Sequence, residues 1–153
     1  MSVNSVTNNA IVIHSSESIN AAIIECEKNN LFKVCTWIVH SNSEKEDLIK
    51  KFSDTLFLNN YDIIRLKRLE NLDEKSQVEK ELLDFFDKHL SIIVDMMGRF
   101  ETYKHFSHSD KTTYIYNQLY YWYKYILENK IDLYIQFDTP HDVYDYIIYL
   151  IFK

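Results

Sequence analysis

Short apolar segments alternate with helical patterns along the first forty residues, and this alternation constrains the fold more than any other feature. A continuous β-branched run at residues 10–13 predicts a buried strand, and apolar residues at helical spacing follow as far as Cys26. A second strand is predicted at Phe32–Val39. Strand, helix and strand with short connections form the βαβ unit, whose two strands are parallel. The pattern therefore predicts an α/β, Rossmann-like fold.

The middle of the chain is predicted to be mainly helical. Ser43 and Glu46 have capping-box spacing for a helix that ends near Phe52. A third strand is placed within residues 55–66, although the second half of that segment could equally begin a helix. From Asp73 to Phe100, apolar residues recur every three or four positions and predict one helix of about 25–30 residues.

The last third of the chain repeats the alternation of helix and strand. A helix is predicted at residues 110–129, and a strand follows at residues 131–137. Thr139 is then interpreted as the N-cap of a final helix that runs to about Phe152, with Pro140 in its first turn. We expect a parallel sheet of about four strands flanked by helices, with a long helical pair inserted before the last strand.

The composition predicts one packed domain and excludes several functional classes. Residues 1–9 are polar and are predicted to be a flexible N-terminus, and residues 10–153 are predicted to form a single Rossmann-like domain. The chain has one glycine, Gly98, whereas a GxGxxG turn or a Walker-type loop needs several. No cofactor is therefore predicted. The net charge of −6 argues against a nucleic-acid partner.

Cysteine usage and hydropathy point to a cytoplasmic protein. Cys26 and Cys35 form no CxxC or zinc pattern and are interpreted as reduced thiols. The start of the chain has neither the basic region nor the apolar region of a secretory signal. No apolar run approaches the ~20 residues that a membrane-spanning helix needs.

Polar residues follow three of the predicted strands and define a candidate site. The carboxyl ends of parallel strands meet at one edge of a sheet, where ligands bind in open α/β folds. The predicted substrate-binding residues are His14, Ser15, His40, Ser41 and Thr139. His141 and Asp138 are the candidate catalytic residues, either of which could act as a general base on a bound hydroxyl. No metal site is predicted, since no close ligand pair occurs. Each histidine could alternatively be a solvated loop residue near a helix start.

Aromatic residues are concentrated in residues 114–125. They outnumber the positions on one buried helical face, so some are expected at an interface or on the surface. The functional interpretations are a platform that stacks on sugars and a partner surface, including a homodimer through Tyr116, Tyr120 and Tyr123. Ordinary core packing is the alternative.

The segment from Tyr120 to the end of the chain suggests a family. It reads YYWYKYILENKIDLYIQFDTPHDVYDYIIYLIFK, and from about Tyr114 onward the pattern resembles the N-terminal domain of bacterial surface (capsule-type) polysaccharide glycosyltransferases. The resemblance implies a GT-B-like enzyme in which this domain holds the sugar or glycan acceptor and a C-terminal domain binds the nucleotide-sugar donor. The resemblance extends to individual residues only at the Pro140–His141 turn, and it implies that this turn faces the cleft of the enzyme.

The resemblance also implies that a C-terminal donor-binding domain is missing. The chain would then be the acceptor-side first half of a longer two-domain protein, not catalytic alone. An alternative hypothesis is a non-enzymatic, flavodoxin-like binding or regulatory module with the tyrosine-rich helix as its partner surface. A small hydrolase that uses one of the edge histidines is a third hypothesis, although no complete catalytic set can be identified.

Overall fold

The computed structural model describes residues 8–13, 16–64 and 78–153. It divides the chain into two compact units. Unit 1 comprises Met1–Tyr61 and Glu128–Asp138, and unit 2 comprises Asp62–Leu127 and Thr139–Lys153. Predictions for residues 1–7, for His14 and Ser15, and for residues 65–77 lie outside the described residues.

Unit 1 contains a four-stranded, all-parallel sheet in the order β3-β2-β1-β4. Its strands are β1 (Asn8–Ile13), β2 (Phe32–Val39), β3 (Leu56–Asn59) and β4 (Ile131–Gln136). The predicted α/β fold with a parallel sheet is therefore confirmed. Strand β3, for which the sequence pattern was ambiguous, pairs with β2. In this pairing Thr36 lies opposite Leu56, and Val39 lies opposite Asn59.

Helices α1 (Glu17–Lys28) and α2 (Asn42–Ile49) belong to unit 1, and α3 (Asn60–Ile64) follows β3 directly. Trp37 belongs to the core that α1 and α2 share with the sheet. Its ring centroid lies 5.2 Å from that of Phe52 and 6.4 Å from that of Phe57. Helix α1 ends where predicted, since Asn30 adopts the left-handed conformation (φ 56°) that stops a helix.

The remaining described helices belong to unit 2, except for Glu128 at the end of the longest one. They are α4 (Lys80–Asp87), α5 (Leu90–Met97), a single 3-10 turn (Glu101–Tyr103), α6 (His108–Glu128) and α7 (Val143–Ile151). The prediction for α6 is confirmed within two residues at each end. Helix α5 packs against α7.

The single long helix predicted from Asp73 to Phe100 is wrong. Two eight-residue helices, α4 and α5, occupy its described part, and Lys88 and His89 separate them. The His89 N–H donates to the Phe86 carbonyl at 2.8 Å, a tight turn that ends α4. The His89 Nδ1 atom lies 3.1 Å from the Tyr146 hydroxyl of α7. This tertiary hydrogen bond holds the turn, and hydrophobic spacing gives no sign of it.

Two predicted helix starts are also wrong by a few residues. The N-cap of α2 is Ser41 and not Ser43, since the Ser41 Oγ accepts a hydrogen bond from the Glu44 N–H at 3.2 Å. The N-cap of α7 is Asp142, which is extended (φ −91°, ψ 158°), so Thr139 and Pro140 precede the helix. In both turns a carboxylate at the third helical position also accepts a hydrogen bond from the backbone N–H of the residue before the N-cap.

Candidate functional site

The turn that precedes α7 carries the strongest candidate site, and it belongs to unit 2. His141 directly precedes the N-cap Asp142, and Asp145 is the third residue of the helix. The His141 N–H donates to the Asp145 Oδ2 at 3.1 Å, which fixes the entry of the chain into the helix. The His141 side chain is 55% exposed, whereas the Asp145 side chain is 0% exposed. An exposed imidazole thus lies over a buried carboxylate.

The hydrogen bonds of the His141 ring determine which nitrogen is basic. Nδ1 lies 3.1 Å from the Thr139 carbonyl oxygen. A carbonyl oxygen only accepts, so Nδ1 carries the hydrogen in the neutral ring and Nε2 is the basic atom. The Asp145 Oδ2 lies 3.9 Å from Nδ1.

The environment of Asp145 combines opposing effects on its protonation. Burial raises the pKa of Asp145 to about 6, although the N–H groups of His141 and Asp142 and the charge of His141 act to lower it. The Asp142 carboxylate is also buried and acts to raise the same pKa. Near neutral pH the Asp145 carboxylate is therefore mostly ionised.

Unit 2 also contains buried polar side chains, most of them tyrosines. Tyr144 is fully buried, and burial together with the charges of Asp142 and Asp145 raises its pKa well above the ordinary value. Hydrogen bonds also connect four other buried side chains: Tyr103 to Tyr114 at 2.9 Å, Gln118 to Tyr114 at 3.0 Å, and Trp122 to Gln118 at 2.9 Å. Fully connected buried polar groups of this kind make a core rigid.

The predicted residues in unit 1 lie at the carboxyl edge of the sheet. His40 and Ser41 follow β2, and the His40 Nδ1 lies 3.4 Å from the Nδ2 of Asn60, the residue that follows β3. Asp138 lies two residues beyond β4 and is exposed. Because β1 lies between β2 and β4, these groups do not follow neighbouring strands. Of the predicted binding residues, His14 and Ser15 are outside the described residues, and Thr139 belongs to unit 2.

The same hydrogen-bond pattern surrounds His40 and His141. The His40 N–H donates to the Glu44 Oε2 at 3.0 Å, as the His141 N–H does to Asp145. In each turn a histidine precedes the N-cap and an acidic residue occupies the third helical position. Helix capping explains why an acidic residue occupies the third helical position in each turn. The histidine contributes only its backbone N–H to the cap, which any residue with a backbone N–H could supply. Helix capping therefore does not account for either imidazole.

A cleft of about 710 Å³ lies between α1 and α2 in unit 1. Its walls include hydroxyl and charged side chains, among them Ser16, Ser43, Glu44, Asp47 and Lys51. Lys50 pairs with Asp47 at 3.4 Å, so part of the charge is neutralised within the wall. The cleft combines polar and apolar walls and is of ordinary ligand size, and none of the described histidines lines it.

The tyrosines of α6 are used largely within unit 2. Tyr114 is buried, and the three residues predicted to form a homodimer surface, Tyr116, Tyr120 and Tyr123, are partly buried. The Tyr116 hydroxyl donates to Asp87 of α4, and Tyr123 interacts with Glu79, which directly precedes α4. The packing of α6 on α4 therefore accounts for part of the aromatic excess, and the homodimer stays a prediction.

Two residues of the site, Asp145 and Asn60, are not among those predicted from the sequence. Asp145 was overlooked because it lies inside an apolar segment, although that position and its spacing of four from His141 were visible signals. Asn60, which contacts His40 from the next strand, had no sequence signal. Within residues 8–13, 16–64 and 78–153, no group of three or more metal-ligating side chains occurs.

Comparison with known proteins adds no family to this description. No family model, no curated protein sequence and no solved structure matches the chain. Within the described part of the chain, no helix has both the length and the apolar character needed to cross a membrane.

Proposed function

We propose that this chain is the acceptor-binding half of a polysaccharide glycosyltransferase and that His141 is its general base. The exposed His141 ring carries the proposal, because its Nδ1 hydrogen bond to Thr139 leaves Nε2 as the basic atom. The buried Asp145 carboxylate lies 3.9 Å from Nδ1, on the side of the ring away from the basic nitrogen. The resemblance of residues 114–153 to such domains supports the same assignment.

In the proposed reaction, the acceptor hydroxyl donates its proton to the Nε2 of His141. The acceptor oxygen forms a bond to the anomeric carbon of a nucleotide-activated sugar, and the bond from that carbon to the nucleoside diphosphate breaks. The diphosphate leaves with the electron pair, and His141 later releases the proton to solvent. Asp145 is a positioning residue, since its carboxylate contacts His141 and not the reacting atoms.

The test compares His141→Ala with His105→Ala in the complete gene product, with a panel of nucleotide sugars and saccharide acceptors. His105 is another exposed histidine of unit 2 and serves as the matched control. A general base contributes about 10²- to 10⁴-fold, so we expect H141A to lower kcat by that amount without lowering the melting temperature. Transfer by H141A at the rate of H105A would exclude this role for His141.

The tautomer of His141 can be measured separately on the 153-residue chain. We expect ¹⁵N NMR at alkaline pH to show a protonated Nδ1 and an unprotonated Nε2. The opposite tautomer would remove the observation on which the general-base assignment depends, whatever the transfer assay shows.

A further inference from the structure

A recess on α6 is independent of the His141 site and has a distinct chemistry. It encloses about 300 Å³, and its walls are Thr112, Thr113, Tyr116, Asn117 and Tyr120. These residues lie three to four positions apart along α6, so they share one face of the helix. All five belong to unit 2.

Two tyrosine rings form the aromatic part of the recess. The ring centroids of Tyr116 and Tyr120 are 6.3 Å apart, with an angle of 30° between the ring planes. Contacts with α4 fix the position of Tyr116. Its hydroxyl donates to Asp87, and its ring centroid lies 6.0 Å from that of the buried Phe86. A preorganised aromatic surface binds a ligand with little loss of side-chain entropy.

The polar part of the recess consists of neutral groups. Asn117 and Thr113 are exposed and offer an amide and a hydroxyl, which can both donate and accept hydrogen bonds. The five lining residues include no charged side chain. A phosphate or carboxylate ligand would therefore find no compensating charge on these walls.

We propose that this recess binds one ring of a neutral saccharide. A pyranose ring has an apolar C–H face that suits a tyrosine ring and hydroxyls that suit an amide and a threonine. The volume of about 300 Å³ is at the lower limit for small-molecule sites, which fits one ring and not a nucleotide sugar. The proposal deepens the acceptor-binding function by naming a neutral glycan as the ligand, but the binding itself does not depend on catalysis.

The experiment is an NMR titration of the ¹⁵N-labelled 153-residue chain with lactose, chitobiose and maltotriose as neutral probes. Inorganic phosphate is the anionic probe. We expect at least one saccharide to shift the amide signals of residues 112–120, and we expect phosphate to leave them unchanged. Phosphate shifts at these residues, or no saccharide shifts at all, would overturn the proposal.

Variants separate the recess from the His141 site. Loss of one aromatic contact should weaken saccharide binding about five- to ten-fold in Tyr120→Leu, whereas Tyr120→Phe keeps the ring and the affinity. Tyr125→Leu is the matched control, since Tyr125 is a partly buried tyrosine of the same helix outside the recess. Equal affinity in Y120L and wild type would refute the recess as the binding site.

Two further outcomes distinguish this proposal from its alternatives. Saccharide binding that survives His141→Ala but is weakened by Y120L supports the recess even if His141 has no role in transfer. Binding lost in H141A and retained in Y120L would move the saccharide to the His141 site and overturn the recess. Self-association that Y120L abolishes, without saccharide binding, would identify this face as a contact between copies of the chain.

Discussion

At the scale of single residues, the site depends on His141 and Asp145. The backbone of His141 and the carboxylate of Asp145 would cap α7 whatever side chain residue 141 had. The imidazole is the part that capping does not require, and its exposure makes it available to a ligand. Asp145 has two roles, because the carboxylate that caps the helix also lies beside the imidazole.

The protonation of Asp145 predicts a pH dependence of stability. Burial raises its pKa in the folded chain to about 6, from 3.8 in the unfolded chain. The folded state therefore binds the proton more tightly, and the stability gained in this way is lost as pH rises from about 4 through about 6. Asp145→Asn does not titrate, so the free energy of unfolding of wild type should fall relative to D145N by up to about 3 kcal/mol across this range.

Urea unfolding at several pH values in this range measures the difference. Asp84→Asn is the control, since Asp84 is exposed on α4 in the same unit. A wild-type stability that changes in parallel with D145N would show that Asp145 has the same proton affinity in the folded and unfolded chains.

At the scale of elements, caps and turn hydrogen bonds set the ends of the helices. Helix α2 begins after Ser41 because the Ser41 Oγ and the Glu44 carboxylate together satisfy backbone N–H groups at its start. Helices α4 and α5 are separate because His89 bonds to Phe86 in the chain and to Tyr146 of α7. The hydrophobic period continues across this break, so only the hydrogen bonds reveal it.

Serine substitutions test the start of α2. Ser41→Ala removes the oxygen that accepts from the Glu44 N–H, so we expect a loss of about 1 kcal/mol in the free energy of unfolding. Ser43→Ala should cost only a few tenths of a kcal/mol, because Ser43 is inside the helix and its hydroxyl bonds to the hydroxyl of Ser41. Denaturant unfolding of both variants is the measurement. A larger loss of stability in S43A than in S41A would show that Ser43 is the N-cap, as the capping-box spacing predicts.

At the scale of the whole molecule, the parallel sheet and the net charge limit what the protein binds. The strand order β3-β2-β1-β4 changes direction between β1 and β4, and open α/β sheets bind ligands at such a switch point. Asp138 follows β4 at this place and is exposed. The net charge of −6 gives the chain no general attraction to polyanions.

The charge leads to a prediction about nucleic acid. Binding to a short DNA duplex at about 50 mM salt should be weaker than about 0.1 mM, because non-specific affinity comes from neutralised phosphates. Fluorescence anisotropy of a labelled duplex is the measurement. Micromolar binding that weakens with added salt would reveal a basic surface that the net charge conceals.

The sequence by itself determined the type and order of most elements, because hydrophobic periodicity is a local property. It predicted β2, α6 and the parallel sheet, and the left-handed Asn30 supports the predicted end of α1. It placed His141 in the first turn of the last helix, whereas the structure places it directly before the N-cap Asp142. The first residues of α2 and α7 depend on local hydrogen bonds from His40 and His141 to carboxylates four residues later, which hydrophobic periodicity does not show. Only the tertiary structure decided the break at His89, because that turn is hydrogen-bonded to Tyr146, 57 residues away. Only the tertiary structure decided the burial of Asp145 as well, since burial depends on how the elements pack.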